Sequence, residues 1–362
     1  MEPCEVLDPR DPAPAARAGA AAWLALQREL AFRPVEAAAR LAAAPDETLA
    51  GFRCASPERA EDLACLARLG VRGLPLVSPR YPPRLRRLAD PAPLLWVQGS
   101  LEALAAPCVA IVGPRAPTEY GRVVARALAR ALAAAGLTVV SGLARGVDAE
   151  AHAGALEAGG LTVAFQACGP DRVYPADHRR LAARIAAGGA VVSELPPGTP
   201  PRPAHFPLRN RLISGLSLAV VVVEARERSG SLVTARHAAE QGVDVLAVPG
   251  PIDAVTSRGT NRLIRDGARV LLDVRDVLET IGAEARVPPP SAGRASAGLS
   301  PLARDILSRL ARGPEARDTL CRGLRRPPEA LAPALLELEL AERIAEDRDG
   351  RLRALADPFA GG

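Results

Sequence analysis

Between Cys108 and Leu272 the chain alternates short apolar runs with longer segments of mixed polarity, and this alternation is its strongest structural signal. The run Leu218-Ala219-Val220-Val221-Val222-Val223 is β-branched and apolar at every position, as expected of a strand covered on both faces of a parallel sheet. Runs of the same character predict strands at Cys108 to Val112, Leu137 to Ser141, Leu161 to Gln166, Ala190 to Glu194, Val243 to Val248 and Arg269 to Leu272. Helices are predicted between them, at Tyr120 to Ala134, Asp148 to Ala158, Asp177 to Ala187, Arg209 to Ser214, Ser231 to Gln241 and Thr260 to Asp266. Strands that take turns with helices define an α/β class, a doubly wound and mostly parallel sheet.

The flanks follow other patterns. Residues 1–70 read as an N-terminal helical domain, with Ala-rich helical segments at Ala20 to Leu30, Pro34 to Ala43 and Pro57 to Leu69. Two strands, Leu74 to Ser78 and Leu94 to Gln98, bracket Tyr81-Pro82 and an Arg-rich turn, and are expected to form an extra layer at the sheet edge. The sheet domain spans residues 71–284, and a Pro-rich stretch without periodicity, 285–299, reads as a linker. In residues 300–357, helical patterns at Pro301 to Leu310, Glu315 to Gly323 and Pro327 to Ala341 precede a hairpin, Arg343 to Leu355, turning at Asp349-Gly350. Three helices and a β-wing predict a winged-helix domain.

Composition changes this picture little. The formal net charge of +5 suits a polyanionic partner and suits many other proteins equally. All 46 cationic residues are Arg, and Ala, Pro and Gly abound, as the base composition of a GC-rich genome would dictate, so each Arg has to be judged by position. The six cysteines form no C-x-x-C pair and no His stands at metal spacing, so neither a metal nor another cofactor is expected. No apolar run approaches the roughly 20 residues of a membrane helix, and a reducing cytoplasm is the expected compartment.

The chemistry lies in the loops after the strands. Gly113-Pro114-Arg115, Ser141-Gly142-Leu143-Ala144-Arg145-Gly146, Ser193-Glu194, Ser229-Gly230-Ser231, and Pro249-Gly250 with Gly259-Thr260-Asn261 all follow predicted strands, and in an open α/β sheet ligands bind in that crevice. Upstream of the fifth strand lies Phe206-Pro207-Leu208-Arg209-Asn210-Arg211, two arginines for phosphate and an aromatic ring for a base. Arg115 reads as a phosphate clamp or as an ion-pair partner of Glu194. Phe206 reads as a stacking platform or as a loop anchor. Asn210 and Arg211 brace the loop or touch the ligand, and Ser229, Gly230 and Ser231 form an anion nest, a helix cap, or both. Asp148 and His152 share a helix face, and with no nucleophile nearby they are read as a helix-capping Asp and a structural His bonded to it or to a backbone carbonyl, so no catalytic residue is expected.

These motifs resemble those of the DprA/Smf family. The likeness runs from Tyr81-Pro82 to Gly267-Ala268 through Val112-Gly113-x-Arg115, Tyr120-Gly121, Ser141-Gly142-Leu143-Ala144-x-Gly146-Val147-Asp148, Ala151-His152, Tyr174-Pro175, Ser193-Glu194, Phe206-Pro207-x-Arg209-Asn210-Arg211, Glu224-Ala225, Ser229-Gly230-Ser231-x-x-Thr234-Ala235 and Pro249-Gly250. It implies an extended Rossmann-like sheet with a helical N-terminal domain and a C-terminal winged helix. It also implies a non-enzymatic mediator that binds incoming single-stranded DNA during natural transformation, loads RecA onto it, contacts single-strand-binding protein and acts as a homodimer. The DNA-binding residues are then Gly113, Arg115, Arg145, Phe206, Arg209, Asn210, Arg211, Ser229, Gly230 and Ser231. Pro114 stands where the family carries Ser or Thr, which removes one amide and one hydroxyl from the turn. Two other readings remain open, an enzyme acting on nucleoside monophosphates and a duplex-DNA regulator using the winged helix. Against the first, His237 occupies the acidic position of the hydrolase motif. Against the second, the third helix of the wing carries Glu in place of base-reading side chains, which favours docking of a partner.

Overall fold

In a computed structural model, the described residues are 6–8, 14–30, 34–43, 48, 57–283, 300–310, 312–340, 343–347 and 349–355. They fall into two compact units, residues 1–286 and 287–362. The larger unit is built on a sheet whose strands, in chain order, are β1 (Val71–Pro75), β2 (Leu94–Gly99), β3 (Cys108–Val112), β4 (Thr138–Ser141), β5 (Thr162–Phe165), β6 (Ala190–Ser193), β7 (Ala219–Val222), β8 (Asp244–Ala247) and β9 (Arg269–Val270). They lie side by side in the order β1-β2-β6-β5-β4-β3-β7-β8-β9. From β6 to β9 every pairing is parallel, with Ala110 of β3 opposite Val140 of β4 on one side and Val220 of β7 on the other. The chain therefore starts at β3, winds outward through β4, β5 and β6, then returns to the other side of β3 at β7. This reversal makes the β3/β7 boundary the topological switch point, where the loops leaving two adjacent strands diverge and leave a crevice.

The seven strands predicted between Cys108 and Leu272 are all present, each trimmed by at most two residues at an end, whereas the strand expected at Leu74 to Ser78 lies three residues earlier and the one at Leu94 to Gln98 gains Gly99. The Leu74 and Leu94 strands correct the expectation of a separate layer: β1 and β2 join the sheet itself, antiparallel to each other and, through β2, to β6. The helices of residues 14–68, expected as a domain of their own, lie within the larger unit. Their apolar face is closed by the sheet, since Trp23, Leu26 and Leu66 share one buried cluster with Val71, Leu94 and Trp96. Gln27 fastens the junction, accepting from Trp96 Nε1 at 2.7 Å and donating to the carbonyl of Glu194 at 2.7 Å. Helix Val274–Thr280 was not foreseen, although Asp273 and Asp276 form a capping box at its start.

One boundary matters for the site. The helix expected from Arg209 begins a turn earlier, as His205–Leu216. Pro207 is the third residue of that helix, where proline is tolerated because the amides of a first turn have no intrahelical acceptor. Phe206 is thus a first-turn residue and not part of the loop, and Arg209 moves into the helix body, on the stripe formed with His205, Leu212, Ile213 and Leu216, all buried.

In the smaller unit, helices Pro301–Leu310, Arg317–Leu324 and Pro328–Leu340 enclose a core with Ile344 and Leu352 of a sheet ordered β10-β12-β11, the strands being β10 (Glu315–Ala316), β11 (Ile344–Glu346) and β12 (Arg351–Ala354). Gly350, at φ 78°, supports the expected hairpin turn, and three helices with this sheet form a winged helix. The linker expected at 285–299 lies outside the described residues.

Candidate nucleic-acid interface

Parallel strands end together, so the loops after β3 to β9 share one rim of the sheet. At the switch point the β3 loop is fixed by Glu224, at the end of β7. Its carboxylate accepts from the Thr118 amide at 3.0 Å and from the Thr118 hydroxyl, while Thr118 Oγ1 caps helix Glu119–Ala134 by accepting from Gly121 N. Gly113 lies so close to Val147 that a side-chain carbon would overlap it at 2.5 Å. Gly146, at φ 79°, packs on the carbonyls of Pro114 and Arg115 and lets the Val147 amide reach the Pro114 carbonyl at 3.2 Å. The two glycines therefore lock the β3 and β4 loops together and fix the root of Arg115.

Arg115 itself is exposed. Its guanidinium carbon lies 4.8 Å from the centroid of the Phe206 ring, a cation–π contact. Edge-on to Phe206, at 5.8 Å between centroids, stands Tyr174 from the β5 loop. Two loops and the first turn of a helix thus meet in one patch of a cation and two rings, all partly open to solvent. The expected alternative for Arg115, an ion pair with Glu194, is not found, because Glu194 is buried and bonded to Arg211.

Arg145 is exposed as well and pairs with Asp177 at 2.5 Å. Beside that pair, a ring nitrogen of His178 lies 2.9 Å from the Leu143 carbonyl, tying the β4 and β5 loops. Across the rim, Ser229 caps helix Gly230–Glu240 by accepting from the Ser231 amide, and the two hydroxyls lie 2.7 Å apart. Asn210 donates to the Gly230 carbonyl at 3.4 Å, which identifies it as a brace, and the space over the Gly230 Cα is open.

The remaining two arginines point inward. Arg209 is 5% exposed, donates to the Phe165 carbonyl at 2.6 Å and lies against Gly142, where any side chain would strike the guanidinium. Burial pulls its pKa down to about 10, with Asp148 acting the other way. Asp148, also buried, accepts from the amides of Gly142 and Ala144, and burial raises its pKa although Arg209 and these amides oppose the rise. Arg209 and Asp148 are thus buried opposite charges beneath the β4 loop that favour each other's ionised form, Arg209 bonded to the Phe165 carbonyl and Asp148 to the loop amides. Arg211, 3% exposed in its side chain, spans Glu194 and Asp90, and burial lifts the Glu194 pKa to about 7 against the pull of Arg211. The capping Asp is not found, since Gly146 takes the cap position of that helix, and in place of Asp148 or a backbone carbonyl His152 Nδ1 meets Thr162 Oγ1 at 2.7 Å. Because the Thr162 hydroxyl donates to the Val139 carbonyl, the imidazole must be the donor to Thr162, and burial, holding it neutral, lowers its pKa to about 3. Among the described residues no group of three or more His, Cys, Asp or Glu side chains could hold a metal ion, and no helix is long and apolar enough to cross a membrane.

Comparison with known proteins places this rim in context. The sequence profile described as DNA recombination-mediator protein A matches residues 74–282, and that of the DprA winged helix domain matches residues 288–350. The chain belongs to the DprA/Smf family. Its relatives include Protein Smf of Escherichia coli, 46% identical over 209 residues that make up 58% of this chain and 56% of that protein, so the chain aligns with little more than half of it. DNA processing protein DprA of Bacillus subtilis is 38% identical over 226 residues, 62% of this chain and 76% of that one. Among solved structures, DprA of Streptococcus pneumoniae superposes with a TM-score of 0.57 at 33% identity, covering 73% of this chain and 94% of that one. DNA processing protein A of Helicobacter pylori, solved for its unique single-stranded DNA binding mode, gives 0.52 at 33% identity, covering 56% and 92%. All ten residues expected at the interface lie inside the DprA/Smf match. Tyr174, which the sequence marked only as part of a family motif, joins them. Its scarcity was the available signal, since the chain has three Tyr and five Phe.

Proposed function

We propose that the protein binds single-stranded DNA along the carboxyl-terminal rim of its sheet and acts as a recombination mediator, not as an enzyme. The observation that carries this reading is the exposed Arg115 held over Phe206 beside Tyr174: a guanidinium for the phosphodiester backbone next to rings on which an unpaired base can stack. The Ser229–Ser231 helix start offers a second place for phosphate, and Arg145 a third once a phosphate displaces Asp177. Gly113 shapes the clamp and Asn210 braces the nest. In this role the protein covers incoming DNA during natural transformation in the cytoplasm, meets single-strand-binding protein there and loads RecA. The likeness to DprA/Smf proteins and the H. pylori structure supports this assignment. A homodimer fits the open side of β9, where Ile252, Val270 and Leu272 are exposed, the last at 72%.

A fluorescence-anisotropy titration with single-stranded and duplex oligonucleotides at two salt concentrations tests the proposal. Tighter binding to the single strand, weakening steeply with salt, is expected. A duplex preference that survives removal of the residues after 285 overturns it, as does release of free base from nucleoside monophosphates.

A further inference from the structure

The Arg-rich turn before β2 takes no part in the rim. In Pro83-Arg84-Leu85-Arg86-Arg87, Leu85 is buried and Arg86 turns back to the carbonyls of Ser78 and Tyr81. Arg84 and Arg87, three apart and so on one side of the turn, are both exposed and make no ion pair or hydrogen bond among the described residues. Both line a cleft of about 670 Å³ between this turn and the last turns of helices His205–Leu216 and Gly230–Glu240. Arg211 and Gln241 line it, and Nη1 of Arg211 and the amide oxygen of Gln241 are buried without hydrogen-bond partners. Leu88 and Val243 supply apolar walls. The helix ends that border it lead into the amino ends of β7 and β8, so it opens away from the DNA rim.

The charges define what fits. Arg211 pairs with Asp90 and Glu194, and Glu240 lies 3.5 Å from His237, whereas Arg84 and Arg87 have no ion-pair partner among the described residues. Partial burial lowers the Arg84 pKa, Cys108 opposes the fall and the like charge of Arg87 adds to it. Two guanidiniums one turn apart suit the two phosphates of a diphosphate. A donor, an acceptor and apolar walls deeper in the cleft suit a nucleoside, and the volume lies within the range of small-ligand sites. We propose that this cleft is a second ligand site, for a nucleoside diphosphate, separate from the DNA-binding rim.

Isothermal titration of the full chain with ADP tests it, with the variant Arg84→Gln/Arg87→Gln and with the protein pre-saturated by a single-stranded oligonucleotide. The expected result is saturable binding with half-saturation at or below about 1 mM, weakened about tenfold or more in the double variant and unchanged by the oligonucleotide. The double variant keeps the single-strand affinity and melting temperature of the parent, because both side chains are exposed and unpaired. Absence of ADP binding, equal binding by the variant, or displacement of ADP by the oligonucleotide overturns the proposal. The rim assignment is read separately from the oligonucleotide titration, so either can fail alone.

Discussion

Replacing Arg209 with Ala separates a DNA ligand from an internal brace. The guanidinium is 5% exposed, holds the Phe165 carbonyl and sits beside Asp148, itself 8% exposed. Removing it leaves a buried carboxylate without its counter-charge, a change that typically costs about 3–5 kcal/mol. For a unit of this size, at roughly 2 °C per kcal/mol, the melting temperature should drop by about 6–10 °C. The loss should also depend on pH in a defined direction. The Asp148 pKa is already raised in the folded state, and without Arg209 it rises further. A carboxyl with a raised folded pKa gains its proton first in the folded chain, so stability increases as pH falls through that pKa. The deficit of Arg209→Ala should therefore be largest at neutral pH and above, where the carboxyl is ionised, and shrink as pH falls through its raised pKa. Both tryptophans, Trp23 and Trp96, are buried in the larger unit, so their fluorescence during urea unfolding reports on that unit alone. Asp148→Asn added to Arg209→Met should restore most of the stability, since neither charge is then stranded. A variant with unaltered unfolding and lost single-strand affinity would refute the reasoning and return Arg209 to the DNA surface. A deficit that grows at low pH would refute the assigned charge pair.

Arg115→Ala should weaken single-strand binding by about 1–2 kcal/mol and reduce the salt slope by about 0.7, with the urea midpoint unchanged. Phe206→Ala should cost about 1–3 kcal/mol of affinity and leave the salt slope as it was, because stacking releases no counterions. Gly142→Ala should destabilise the fold by about 1–3 kcal/mol, since the new methyl meets the Arg209 guanidinium, which the Phe165 carbonyl holds in place. Glu194, with its folded pKa raised to about 7, makes the fold progressively less stable as pH rises towards that value, and Glu194→Gln should flatten the urea midpoint between about pH 5 and pH 7.

Most of the architecture could be read from the chain because it is written in local patterns. Doubly apolar runs gave the parallel strands, Gly and Ser after them gave the loops, and the three helical patterns before Asp349-Gly350 gave the winged helix. The internal pairing of Arg209 and Arg211 was less legible, although the spacing of His205, Arg209, Leu212, Ile213 and Leu216 is a core stripe once the helix is started at His205. What obscured it was Pro207, which resembles a helix breaker unless the position is known to be in a first turn.

The sequence by itself determined the α/β class, the rim on which the chemistry lies and the residue types found there, because strand burial and loop composition depend on near neighbours. Only the tertiary structure decided which cations face solvent and which were drawn beneath the loops. That outcome depends on interactions between residues far apart in the chain: the Phe165 carbonyl holds Arg209 within the field of Asp148, Asp90 and Glu194 hold Arg211, and Phe206 holds Arg115. A buried guanidinium needs an internal acceptor or counter-charge to offset its desolvation, and an exposed one does not. Arg209 and Arg211 have such partners and Arg115 has only an aromatic face, so of these three Arg115 is the one that stands in solvent without an ion-pair partner.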